Sequence, residues 1–257
     1  MKALKFTLIM SVVLLFAISC KKDHSAKNNA NVSTDVAADM AASAVAANSF
    51  GFVSMADNIS ANAQANSLAN GQSVNSTSPN AVHQACGTTI TDSSSFSGNT
   101  NSVTFDAFYK FSRTLNCSNN NPDNIIITLT YHGSFDGPRL SSSASGTSSV
   151  TIGGLNSSAT NFIINGSYNR KGSFNSKVGN KTSGNSVIDI NASNVTLSKS
   201  SRVITGGTAN IVISGTVPAG TFSFSGTLVF NGDNQATLTV GTSVYIINLL
   251  TGTHTKK

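Results

Sequence analysis

Histidine, cysteine and aspartate are the side chains in this 257-residue sequence best suited to metal binding or acid–base chemistry. The four histidines, His24, His83, His132 and His254, lie far apart in the chain. Only His132 has a suggestive neighbour, in the stretch YHGSFDGPR. On one strand His132 and Asp136 share a face, with backbones roughly 13 Å apart at about 3.3 Å per residue. Ligand bonds near 2 Å do not bridge that distance to one ion, unless a turn at Gly137-Pro138 folds Asp136 back. The plainer reading makes His132 an exposed strand residue and Asp136 the start of a turn. Glycoside hydrolysis needs two converging carboxylates, and with no Glu in the chain both would be Asp. Asp106, Asp136 and Asp189 can be named, but nothing in the sequence brings them together. A G-x-S-x-G elbow, an H-E-x-x-H helix and a glycine-rich phosphate loop are all absent. The expectation is therefore a non-enzymatic protein with no catalytic residues, no metal and no cofactor.

Binding chemistry is equally sparse. The chain has no Trp, and its four tyrosines are Tyr109, Tyr131, Tyr168 and Tyr245. Tyr131 and Tyr168 share strand faces with Ile and Phe and read as core, as do the phenylalanines. The basic residues, among them Lys110, Arg113, Arg139, Arg170 and Arg202, are scattered. A nucleic-acid footprint needs clustering on one face, so no nucleic-acid partner is expected. The scattered cations read as solvated strand edges, where Lys discourages edge pairing.

The elements that must carry these residues begin with Ala17–Asp23, AISCKKD. Lys2 and Lys5 precede an uncharged run over residues 7–18, the length of a signal-peptide apolar region and too short for a comfortable span. Ser19-Cys20 stands where a small-residue cleavage site belongs. The segment resembles the lipobox of a bacterial lipoprotein, which implies cleavage after residue 19 and acylation of Cys20. A plain secretory signal with a cysteine after it is the alternative. Cleavage removes two of the charges behind the formal net +6, and residues 20–33 become a polar tether. Cys86 and Cys117 remain, an even pair in an exported domain, read as a disulfide with two buried free thiols as the alternative.

Charged residues make up only 10% of the chain, and its polarity comes from Ser, Thr, Asn and Gly. Such a composition suits exposed strands better than long surface helices. Ser33 or Thr34 can cap an Ala-rich run, which predicts one or two helices between about 34 and 68 with a thin apolar side. Residues 70–82 read as a linker, within a helical-plus-linker segment over 34–82. From 83 to 257 the period is two. Ile125, Ile127, Leu129 and Tyr131 share a face against Ile126, Thr128, Thr130 and His132. Phe162, Ile164 and Tyr168 fall together, as do Phe222, Phe224, Leu228 and Phe230. Asn231-Gly232-Asp233 signals a hairpin, and TSVYIINLL reads as a more fully buried strand. The pattern predicts an all-β fold of roughly ten strands, an antiparallel meander curved into a sandwich or half-barrel behind a short helical segment.

Ala85-Cys86-Gly87-Thr88, Cys117, the run Ile127–Gly133 and Asn165-Gly166, behind a lipobox Cys and a helical segment, resemble a family of outer-membrane lipoproteins of the Bacteroidota type. The resemblance implies a lipid-anchored envelope protein, at the cell surface or on the periplasmic face. Its expected role is binding or scaffolding, with a protein, glycan or lipid ligand. A carrier with an open apolar concavity and a hydrolase of surface polymer are the alternatives.

Overall fold

The computed structural model describes residues 32–67, 84–99 and 102–257. Cys20, the tether before Val32 and the 70–82 linker lie outside the described residues. Helix α1 (Thr34–Val45) starts at Ser33, whose Oγ accepts the Val36 N–H at 3.3 Å. A short 3-10 turn (Ala47–Ser49) and the left-handed Phe50 reverse the chain into α2 (Phe52–Ser67). The strands follow: β1 (Thr89–Asn99), β2 (Thr104–Ser118), β3 (Asn121–Asp136), β4 (Leu140–Gly153), β5 (Asn161–Ser176) and β6 (Ser183–Ser198). They continue with β7 (Ile204–Val217), β8 (Gly220–Gly232), β9 (Gln235–Val240), β10 (Ser243–Asn248) and β11 (His254–Lys256).

These 11 strands form one antiparallel sheet in sequence order, a meander that does not close. Alternation decides its faces: Ile125, Ile127, Leu129 and Tyr131 are buried while Ile126, Thr128, Thr130 and His132 are exposed. The expected face of β8, Phe222 to Phe230, is likewise buried. Two-residue turns with both central residues left-handed fit the strand twist. Asn119-Asn120 joins β2 to β3 in this way, and Asp233-Asn234 joins β8 to β9. The second turn centres on Asp233-Asn234, at the end of the expected Asn231-Gly232-Asp233 signal, because Gly232 pairs with Gln235 as the last residue of β8. β10 alternates rather than being wholly buried: Tyr245 and Ile247 point in, and Val244 and Ile246 are half-buried.

The helices depart furthest from the sequence reading. A thin apolar side was expected, yet α1 is buried on every side from Val36 to Val45. The reason is its place. α1 touches β4, β6, β7 and β9 to β11, while α2 touches β3 and β5. Strands so far apart in one sheet reach a single helix only if the sheet curls around it. Alanine lets the strand side chains approach the helix closely, and dense packing of this kind is what a core requires. The two helices also meet tightly. A Cβ on Gly51 would lie 2.5 Å from the Ala44 oxygen, so only glycine fits there. An aromatic file lines the sheet's inner face, with Phe111, Tyr109, Tyr131 and Tyr168 at centroid spacings of 5.7, 5.6 and 5.4 Å. Tyr131 lies over Gly146, where a Cβ would come within 2.7 Å of its ring.

Candidate binding surface

The inner polar groups hold the helices in place. Tyr109 and Tyr168 both donate to the Phe50 oxygen, at 2.8 and 3.2 Å, and burial pushes both phenols up so that they stay neutral donors. Tyr245 donates to Asp35 Oδ1 at 2.6 Å in the first turn of α1, and this bond holds the Asp35 carboxyl below its usual range. Arg170 donates to the Ser43 oxygen at 2.7 Å, where a cation complements the C-terminal end of a helix. Arg202 bonds Asp57 on α2, its Nε 2.8 Å from Oδ1. Arg139, from the β3–β4 turn, grips Asp39 with bonds of 2.6 and 3.2 Å.

One expectation changes here. Arg139, Arg170 and Arg202 are helix ties rather than solvated strand edges, and Arg113 is buried on the inner face. Burial pushes the Arg113 guanidinium down, partly offset by the charge of Asp92. All four tyrosines are buried, so none offers an exposed aromatic platform. The reason is that Arg139 and Arg202, in the turns after β3 and β6, and Arg170, on the inner face of β5, meet helices that no strand pattern reveals.

One inner cluster has the residue types of a catalytic site. His254 Nε2 stands 3.1 Å from Asp39 Oδ1, off the direction a hydrogen bond requires. Its imidazole is pushed below its ordinary value by burial, against the pull of Asp39. Ser43 and Ser49 line the same cavity of about 40 Å³. Both hydroxyls are spent on main-chain oxygens, Ser43 on Met40 at 2.9 Å and Ser49 on Ser43 at 2.7 Å. The arrangement ties α1 to β11 and the β3–β4 turn.

The remaining expected residues sit as follows. Cys86 and Cys117 are at disulfide distance, S–S 2.00 Å, where the chain enters β1 beside the end of β2. His132 is exposed on β3 and rests on Phe108, with ring centroids 5.2 Å apart. Asp106 and Asp136 become diagonal neighbours across β2 and β3, because Asp106 pairs with Ser134. Both are open to solvent, Asp106 bonded to Ser134 and Asp136 paired with Lys177. Asp189 lies away on β6, accepting from Asn169 at 2.6 Å. Among the described residues no group of three His, Cys, Asp or Glu could hold a metal ion.

The outer face carries a feature that alternation alone did not reveal. Strand register aligns Thr91, Ser112, Thr128, Ser149 and Ser167 in one file across β1 to β5. Two residues along, Lys110, Thr130 and Thr147 form a second file. Between them run Phe111, Leu129 and Ser148, whose side chains turn inward, so the floor is backbone. The result is a trough of about 580 Å³ with hydroxyl walls. Elsewhere on this face cross-strand hydroxyls bond one another, Thr89 with Thr114 at 2.8 Å and Thr196 with Thr205 at 2.9 Å. The wall hydroxyls of the trough have no side-chain partner among the described residues. The signal was present in the alternating Thr and Ser of ITLTY and TSSVTI, but pairing partners were needed to align them. No protein-family model, curated protein or solved structure matches the chain.

Proposed function

We propose that this chain is a lipid-anchored envelope protein that binds its ligand without transforming it, on the outer face of its sheet. The observation that carries this reading is the division of polar groups. Inside, Tyr, Arg and Asp side chains are engaged in holding α1 and α2. Outside, the trough presents hydroxyls with no side-chain partner. Helices α1 and α2 occupy the concavity that a carrier of a hydrophobic ligand would need open, which favours the binding reading over the carrier. Cys20 supplies the anchor in this reading. One acyl chain anchors marginally at about 0.8 kcal/mol per methylene, and two or three hold firmly. The protein then sits at the outer membrane, facing outward.

Two measurements test this. Fatty-acid labelling should mark the chain and be lost in Cys20→Ala. Protease applied to intact cells should remove a tag placed near Lys257. Labelling that survives Cys20→Ala overturns the anchor, and protection of the tag until lysis overturns the surface placement.

A further inference from the structure

The chemistry of the trough names a class of ligand. Its walls carry hydroxyls, each able to donate one bond and accept two. Among the described residues Lys110 is the one charged side chain lining it. A nucleic acid or other polyanion needs a cluster of cations, and this trough has a single one. A lipid needs an uninterrupted apolar wall, and here a hydroxyl or the Lys110 ammonium stands at each position of both files. A peptide added as a strand lies along a sheet edge, parallel to the strands, whereas the trough runs across them from the edge strand β1 inward. What remains is an uncharged ligand covered in hydroxyls. Length points the same way, since five strands at about 4.8 Å spacing give a wall of roughly 19 Å, enough for several sugar units. The next file over supplies an apolar platform. Phe108 pairs in register with His132, two residues from Lys110 and Thr130, with the rings tilted at 32°. Sugar rings present C–H faces to aromatics of this kind while their hydroxyls reach polar neighbours.

We infer that the trough binds an extended, uncharged polysaccharide laid across β1 to β5, with its hydroxyls on the two files and a sugar face on Phe108 and His132. This rests on the reading of the chain as an envelope binding protein and specifies its ligand.

The test is affinity electrophoresis of the full mature chain in detergent, through gels containing dextran, mannan, xylan or a linear β-glucan, with alginate as the polyanionic comparison. At least one neutral polymer should retard the protein. The double variant Thr128→Val, Ser149→Ala removes hydroxyls from one wall at nearly constant shape and should weaken retardation at least tenfold. Thr130→Val, Thr147→Ala does the same on the other wall, and serves if the first pair unfolds by circular dichroism. Thr205→Val, outside the trough, should leave retardation unchanged. No retardation by any neutral polymer, retention by alginate alone, or retardation that survives both wall variants overturns the inference. The envelope reading stands or falls separately, on the acylation and shaving results.

Discussion

Arg170 Nη1 lies 2.7 Å from the main-chain oxygen of Ser43, so a residue of β5 caps the last turn of the helix that its own sheet encloses. Arg170 is 7% exposed and has no carboxylate partner among the described residues; its other bond goes to Ser142 Oγ at 2.7 Å. Burying a cation costs stability that these bonds offset. Ser43 O also keeps a bond from Ser49, so removing the cation does not orphan it.

Substitution at Arg170 therefore separates packing from charge. Arg170→Ala should lose about 2–4 kcal/mol, mostly through the cavity. Arg170→Met fills the space and should lose less than about 1.5 kcal/mol. Urea unfolding of both variants reads this directly. Equal losses would show that the charge, not the volume, holds α1.

Tyr109 and Tyr168 share one acceptor, the Phe50 oxygen. Either single Tyr→Phe change leaves that oxygen bonded and should cost about 0.5–1.5 kcal/mol. The double change leaves a part-buried carbonyl without either donor, so its cost should exceed the sum by about 1 kcal/mol. Strict additivity in a double-mutant cycle would mean that water replaces the tyrosines freely.

Acid should loosen the tie between α1 and β11. His254 has a folded pKa below the ordinary histidine value of about 6.5, chiefly through burial. Asp39 and Asp35 oppose that shift, Arg139 adds to it, and the Tyr245 ring packs alongside at 5.4 Å. Between the two pKa values the unfolded chain binds more protons, so stability falls with falling pH. The contribution is complete above the unfolded value and declines below about pH 6.5 until the folded value is passed. In His254→Gln that slope should flatten, measured by urea unfolding across the range. An unchanged slope would assign the acid sensitivity to other groups.

The bond between Cys86 and Cys117 spans a separation of 31 residues. Closing a loop of that length contributes about 3–4 kcal/mol in the chain-entropy model. Cys117→Ser should lower the unfolding free energy by roughly that amount, and reduction of the wild type should match it. A reduced protein as stable as the oxidised one would show that the entry into β1 is ordered in the unfolded chain too.

Gly51→Ala should be a damaging small substitution. Its methyl would press on the Ala44 oxygen at 2.5 Å, against backbone that cannot swing away. A loss of about 1–3 kcal/mol or more is expected from such overpacking. Thermal unfolding tests it, and a neutral result would mean that the helix pair can shift within the sheet.

Much of the fold is legible in residues such as Phe222, Phe224, Leu228 and Phe230, because a strand's period of two is a local property that any core-facing strand must show. The all-β class and a helix start at Ser33 or Thr34 follow from local patterning and capping of this sort, whereas the strand order of the meander is set only by which strands pair. The cysteine pair was suggested by number and context alone. Helix burial was not legible. An Ala-rich run reads as weakly amphipathic, and only a sheet curled around it turns every side into core. The same holds for Arg139, Arg170 and Arg202, polar residues in the sequence that become helix ties through contacts spanning a hundred positions or more. Thr128 and Ser149 were plain outward residues until register set them side by side. Register depends on which strands pair and where bulges fall, so a trough built across five strands exists only once the chain has folded.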